Sequence, residues 1–379
     1  MTPITCIEDL RQLFRKRVPR MFVDYTEAGS WTESTLKNNL SAFDAIKLRQ
    51  KILVDMTDRT VQTRMAGQEV AMPVALAPLG SAGMLHADGE IKAARAAERF
   101  GVPYCLSTMS ICSIEDVAEH ASEPFWFQLY VMQNRDFVGR LIDRARAAGC
   151  SALVLTVDLQ ILGQRHADIK NGLSTPPNPT LANLLNIAGK PRWAWGMART
   201  RRRTFRNIVG HIADARNTRS LATWTARQFD PKLNWDDVQW IKDRWGGTLI
   251  LKGIIDVEDA RMAAQSGADA IIVSNHGGRQ LDGAPATIDA LPAIAREVGD
   301  RVEVWMDGGI RTGQNLFRAL ALGARGTMIG RAYAYGLGAM GEEGVVTALE
   351  IIRRELDLTM AFCGLRDIND VSERVIWRG

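Results

Sequence analysis

The sequence predicts an α/β fold, a (β/α)8 barrel with a long insertion after its fourth strand, and three observations predict it. Eight short apolar runs rich in β-formers recur along the 379 residues, helix-like segments with apolar residues three to four apart separate most of them, and polar or charged residues stand where each run ends. Runs that are apolar throughout are expected of strands buried on both faces, as in parallel sheets. An open doubly wound sheet is the alternative arrangement.

In chain order the expected strands are 73–77, 103–107, 125–130, 152–157, 248–252, 270–274, 302–307 and 326–330. The expected helices are 90–100, 114–119, 135–148, 235–244, 257–265, 288–297 and 313–322, with a last one over 344–355. Residues 1–379 read as one domain, with 1–70 as an N-terminal helical cap. The regular spacing breaks once, between Asp158 and Trp235, and 169–230 is the insertion. A barrel collects its catalytic residues at the carboxyl ends of its strands. Those ends carry Pro78, Ser107, Gln128 with Tyr130, Thr156 with Asp158, Lys252, Ser274 with His276, Asp307, and Gly330 with Arg331.

Composition excludes several classes. At 46% hydrophobic and 24% charged the chain is an ordinary globular one, and a net charge of +4 is too small to argue for nucleic acid. Five scattered cysteines without a Cys-x-x-Cys pair point to reduced, buried thiols rather than a disulfide frame or a metal site. No signal peptide is readable, and no apolar run reaches the ~18 residues of a spanning helix.

The chemistry concentrates in the run Ser274 to Gly283, where a histidine and an arginine three positions apart follow a buried strand. His276 is the candidate general base, and Arg279 the candidate anchor for a substrate carboxylate through two parallel hydrogen bonds. A Gly-rich turn with an incidental histidine is the alternative. Asp307-Gly308-Gly309-Ile310-Arg311 and Gly330-Arg331 follow the seventh and eighth strands, where many barrels bind phosphate. Lys252 ends a buried strand, where a lysine faces an anion, a cavity or a salt-bridge partner. Gly336-x-Gly338-x-x-Gly341 matches the dinucleotide fingerprint, but no strand follows it, so it is expected to be a linker into the final helix and no nicotinamide site is expected.

Ser-Asn-His-Gly-Gly-Arg-Gln-Leu-Asp-Gly over 274–283 resembles the signature of the FMN-dependent α-hydroxy acid oxidases and dehydrogenases, and the resemblance runs from about Tyr25 to Arg366. It implies FMN as cofactor and oxidation of an L-2-hydroxy acid, L-lactate first among them, with electrons passed to a quinone or cytochrome, as in the bacterial respiratory lactate-oxidising branch. It implies that Asp158 pairs with His276 and that Tyr130 lies near the substrate hydroxyl. Tyr25, Arg165 and Met109 join Arg279 around the substrate. The flavin is expected at Ala77, Pro78, Leu79, Ser107, Gln128, Thr156, Lys252 and Ser274, and its phosphate at Asp307, Gly309, Arg311, Gly330 and Arg331. A homotetramer is implied as well. Leu79-Gly80, Gln160 and Met109 depart from the plant glycolate oxidases of the family and leave substrate and acceptor open, so an oxidase using oxygen stands as the alternative. An FMN-barrel isomerase is a remote one.

From Ile169 to Ala213 there is no Asp or Glu, yet Lys170, Lys190, Arg192, Arg199, Arg201, Arg202, Arg203 and Arg206 alternate with Leu184, Leu185, Trp193, Trp195 and Phe205. This has the makings of an anchor to an anionic membrane surface. The resemblance implies attachment to the inner face of the cytoplasmic membrane, and a lid over the site is the alternative. Replacing 173–219 by a short linker is expected to solubilise the enzyme.

Overall fold

The computed structural model describes residues 3–173, 180–209 and 229–378; the remaining insertion residues, 174–179 and 210–228, lie outside the described residues. An antiparallel hairpin of β1 (Thr63–Met65) and β2 (Gln68–Val70) precedes eight parallel strands. These are β3 (Val74–Leu76), β4 (Cys105–Ser107), β5 (Trp126–Leu129), β6 (Ala152–Thr156), β7 (Thr248–Ile254), β8 (Ala270–Val273), β9 (Glu303–Met306) and β10 (Gly326–Ile329). Their order, β3-β10-β9-β8-β7-β6-β5-β4, makes each strand the neighbour of the next in the chain. The ring closes through a parallel bridge between Leu76 and Tyr104, with Leu76 N–H donating to the Pro103 carbonyl at 2.8 Å. The sheet is therefore a (β/α)8 barrel and not the open alternative.

Strand alternation explains both the core and the site. Side chains two apart face the same side, so Ala75, Cys105, Trp126, Val154, Ile250, Ile272 and Trp305 fill the barrel, where Trp126 and Trp305 stack with centroids 5.3 Å apart. Leu76, Phe127, Leu153, Leu251, Ile271 and Val304 point outward against the helices. Advancing two residues from the interior layer gives Ser107, Gln128, Thr156, Lys252, Ser274 and Asp307. All six are buried, so the period that packs the core also lines the carboxyl end with polar groups.

Three elements differ from expectation. Residues 63–70, assigned to the helical cap, form the hairpin instead: Ala66 and Gly67 both take positive φ (50° and 76°), the geometry of a tight hairpin turn, and Met65 and Val70 plug the amino end of the barrel. The helix expected over 344–355 is the centre of a longer one, Glu342–Phe362, preceded by a separate helix, Arg331–Met340. Gly336 and Gly338 lie inside that preceding helix and are not a linker. A Cβ on Gly336 would stand 2.1 Å from the Gly344 carbonyl oxygen, so the motif lets two helices touch. Gly336→Val is accordingly expected to destabilise the protein by about 1–3 kcal/mol or more through overpacking, measured as a fall in the denaturation midpoint with the circular-dichroism spectrum of the folded state unchanged. A midpoint equal to the parent's would exclude this role.

The insertion contributes helices His166–Lys170, Leu181–Ala188 and Pro191–Arg199. Its described part lies against the barrel's carboxyl face. Trp193 Nε1–H donates to the Met84 carbonyl at 2.8 Å, and Asn186 Oδ1 accepts from Arg20 N–H at 2.8 Å.

Candidate active site

The loop after β8 carries the central pair. His276 stands at φ 59°, followed by Gly277 and Gly278 at 66° and 73°, a left-handed run that a histidine adopts only under constraint. The constraint is visible. His276 N–H donates to Ser274 Oγ at 3.1 Å, Arg331 Nη1 donates to the Gly277 carbonyl at 2.9 Å, and Asp282 accepts from the backbone or hydroxyls of Thr32, Ser34 and Thr35. Gln280 Nε2 donates to the carbonyls of Asp158 and Ile161, both at 2.8 Å.

His276 Nδ1 lies 2.9 Å from Asp158 Oδ1. Burial works against the Asp158 carboxylate, but the His276 ring and the Lys252 ammonium outweigh it and hold its pKa below the ordinary value. An ionised carboxylate only accepts, so Nδ1 carries the hydrogen of this contact, and Nε2 is the ring nitrogen turned toward Tyr130. The Tyr130 hydroxyl is 3.4 Å from that Nε2, and burial, then the Asp158 charge, push the phenol pKa up, which keeps it protonated. Close approach to Asp158 depends on Gly253, at φ 112° in a register shift of β7, where a Cβ would stand 2.7 Å from Asp158 Cβ.

A cationic wall faces this pair. Arg279 Nη1 donates to the carbonyls of Tyr25 and Ala28, at 2.6 and 2.9 Å, and its guanidinium lies 4.8 Å from the Tyr25 ring centroid. That leaves the Nε–Nη2 edge without a hydrogen bond among the described residues. Arg165, 5.9 Å from the same ring, binds Asp168 at 2.5 Å. Burial and then Arg165 lower the Arg279 pKa, the sign of a cation held without its own carboxylate. Met109 and the Tyr25 hydroxyl flank Gly80, where a Cβ would lie 3.4 Å from Met109 Cβ and 3.3 Å from that hydroxyl.

Lys252 Nζ lies 2.7 Å from Asp307 Oδ2 and donates to Ser274 Oγ at 2.9 Å; burial opposes its charge, yet Asp307 and Asp158 raise its pKa. Both sequence alternatives for Lys252 thus coexist, a salt bridge and a polar cavity. Ser107 Oγ donates to Gln128 Oε1 at 3.0 Å. Gln128 Nε2, Thr156 Oγ1 and Asp307 Oδ1 are buried without partners among the described residues at one level of the barrel, and so is Asp158 Oδ2 two residues beyond Thr156. Such atoms need partners, and a flat ligand bearing donors and acceptors at its edges supplies them. Ala77 and Pro78 continue from β3 on the same level, Ala77 giving its carbonyl to the Tyr333 hydroxyl, and Leu79 reaches toward Gly330.

Beyond them, Gly309 lies at φ 82° in the loop after β9, and Gly330 caps the helix Arg331–Met340. Among the described residues Arg331 is tied only to the carbonyls of Thr26, Gly277 and Ala28, while Arg311 bonds the Ile310 carbonyl and covers the Tyr335 ring at 5.9 Å. Burial, then Arg279 and Arg311, lower the Arg331 pKa to about 9. Among the described residues neither arginine has a carboxylate within ion-pair distance, so a helix N-terminus and two uncompensated cations await a phosphate-like anion. The residues fit FMN.

Sequence reasoning passed over Asn39 and Asn275, which exchange two hydrogen bonds of 2.8 Å, and Glu90 and Asn207, both wholly buried. Buried polar residues in polar surroundings leave no periodic signal.

A family model described as FMN-dependent dehydrogenase matches residues 14–378. L-Lactate dehydrogenase of Caulobacter vibrioides is 44% identical over 376 residues, covering 98% of this chain and 97% of its own, and that of Stenotrophomonas maltophilia is 42% identical over 369 residues, covering 97% of each. The crystal structure of the monotopic membrane protein (S)-mandelate dehydrogenase superposes with a TM-score of 0.95 at 35% identity over 100% of both chains. Mandelate oxidase does so with a TM-score of 0.84 at 34% identity, covering 99% of this chain and 98% of that one.

Proposed function

Since the chain belongs to the FMN-dependent dehydrogenase family, we propose that it oxidises L-lactate to pyruvate and passes the electrons to a quinone or cytochrome at a membrane surface. The observation that carries the chemistry is a base, His276 Nε2, opposite a carboxylate-seeking Arg279 edge. Bound FMN supplies the two-electron acceptor. Arg279 and Tyr25 hold the substrate carboxylate, Arg165 adds positive charge, and Tyr130 hydrogen-bonds the substrate hydroxyl. His276 takes the proton, and Asp158 stabilises the imidazolium that results. Lys252 presents a fixed cation to the polar layer where negative charge collects on reduction. Ala77 to Leu79, Ser107, Gln128, Thr156, Ser274 and, held against Lys252 rather than at the phosphate end, Asp307 would hold the ring and ribityl chain, and Gly309, Arg311, Gly330 and Arg331 the phosphate end. Anaerobic L-lactate is expected to bleach the flavin absorption of the purified protein with one FMN per chain. A flavin that stays oxidised with lactate but is reduced by another 2-hydroxy acid would reassign the substrate.

Membrane attachment is supported by exposed Leu181, Leu184 and Leu185, spaced along one helix face, and by Trp195, 65% exposed on the next helix. Fewer charges serve it than the sequence suggests: Arg202 pairs with Asp88 and Asp116, Arg206 with Asp116, and Lys190 with the carbonyls of Arg15 and Lys16. Trp193 is likewise committed, its ring tilted against Phe22 with centroids 5.5 Å apart. Changing Leu181, Leu184 and Leu185 to serine and Trp195 to glutamine is expected to release the protein from anionic vesicles and to leave dye-linked lactate oxidation intact. Parent protein should come off in high salt, since screening weakens the remaining basic contacts. Equal partitioning of parent and variant would make the segment a lid.

A further inference from the structure

Residues 107–114, which leave β4, are buried except for the half-buried Met109. A buried loop must find partners for every amide; the Met109 and Ser110 amides find theirs within it, on Ser107 Oγ and the Ser107 carbonyl, both at 3.1 Å, and others reach outside it. Ile111 N–H donates to Glu90 Oε1 at 2.9 Å and Cys112 N–H to Glu90 Oε2 at 3.4 Å. Ile114 N–H donates to Asn207 Oδ1 at 2.9 Å, and Asn207 Nδ2 donates to Ser110 Oγ at 2.9 Å and to the Ser107 carbonyl at 3.4 Å. Glu90 also accepts from Gly83 N–H at 2.9 Å, which ties in the loop after β3. Two side chains with no access to solvent thus brace the segment, one from the helix Gly89–Phe100 and the other from the insertion, 93 positions beyond Ile114. Between the braced points projects Met109, whose carbonyl accepts from Ser81 N–H at 2.9 Å.

We propose that Glu90 and Asn207 are positioning residues that set the width of the substrate pocket by holding the Met109 loop in place. The inference rests on Met109 forming a wall of the substrate site. Neither residue touches that site, so their effect is on fit and not on proton transfer. The insertion then has two parts with separate duties: the helices Leu181–Ala188 and Pro191–Arg199 present Leu181, Leu184, Leu185 and Trp195 outward, while Thr200 to Asn207 fastens onto the barrel through Asp88, Asp116 and the β4 loop. Excising 173–219 as a block would remove both, so the shortened enzyme would lose the brace on the β4 loop as well as the outward segment.

The test compares kcat/KM for L-lactate with that for L-2-hydroxyoctanoate in FMN-loaded parent, Asn207→Ser, Glu90→Gln and Met109→Ala. Pocket fit is worth about 10-fold or more per methylene group, so a slackened loop is expected to shift the selectivity ratio toward the longer acid by about that factor, chiefly through KM. Should Asn207→Ser fail to accumulate, Asn207→Asp, which keeps the acceptor for Ile114 N–H but loses the donor to Ser110, supplies the comparison with a smaller shift. A lowered melting point with an unchanged ratio in the Asn207 and Glu90 variants, alongside a shifted ratio in Met109→Ala, overturns the proposal. An unchanged ratio in Met109→Ala overturns instead the wall assignment beneath it, whatever the other variants do.

Discussion

Replacing His276 by glutamine is expected to leave FMN bound and to slow flavin reduction by L-lactate by about 10²–10⁴-fold, the range a positioned general base contributes. Glutamine can still donate to Asp158 Oδ1, now 2.9 Å from the ring nitrogen, so the loop should keep its place while the lone pair at Nε2 is lost. The left-handed backbone at 276 tests the variant further, because glutamine tolerates φ 59° no better than histidine does. Stopped-flow reduction under anaerobic conditions, with the flavin content measured on the same sample, separates these effects. Reduction at the parental rate would require another base within reach of the substrate.

Arg279→Met is expected to weaken the productive binding of lactate by at least about 30-fold. Truncating one partner of a buried, hydrogen-bonded charge pair costs about 2–5 kcal/mol, and Arg165 retains part of the positive field. The loss should appear in KM and in the affinity for unreactive carboxylates such as oxalate. Arg279→Lys should recover little, because an ammonium cannot reproduce the Nε–Nη2 edge while also satisfying the carbonyls of Tyr25 and Ala28. Full recovery by lysine would mean that charge alone, and not the paired geometry, holds the substrate. A second consequence concerns the backbone: with Nη1 gone, the Tyr25 carbonyl loses this donor while the Ala28 carbonyl keeps the one from Arg331 Nη2, and the helix Arg20–Glu27 should loosen against the barrel.

The barrel was legible because its signal is local. Each expected strand contains the observed one, with β7 alone extending further, to Ile254 across the register shift at Gly253. Ser107, Gln128, Thr156, Lys252, Ser274 and Asp307 could be placed at the site because each stands two residues beyond an apolar, inward-facing neighbour. Strand period fixes that relation without reference to the rest of the molecule.

Convergence from afar was not legible. Tyr25 comes to Arg279 across 254 positions, and its helix carries nothing that distinguishes an active-site tyrosine from a surface one. Residues 63–70 lacked a strong strand pattern, since two three-residue strands are too short to establish one, and the hairpin is held by tertiary contacts, the plug of Met65 and Val70 into the barrel among them. Gly336 and Gly338 matched a cofactor fingerprint in sequence, whereas close packing against Gly344 and Phe14 is what requires them.

The basic insertion divides the same way. Its charge was plain in the sequence, yet which arginines face outward and which serve the fold depended on the positions of Asp88 and Asp116 on other elements. By itself the sequence determined the strand order, the polar layer at the carboxyl end and the His276–Arg279 loop, because periodic burial and strand ends are properties of contiguous residues. Only the tertiary structure decided which ring nitrogen of His276 meets Asp158, which edge of Arg279 is left without a hydrogen bond among the described residues, and the bracing of the Met109 loop, because those depend on partners that barrel closure brings together from distant parts of the chain.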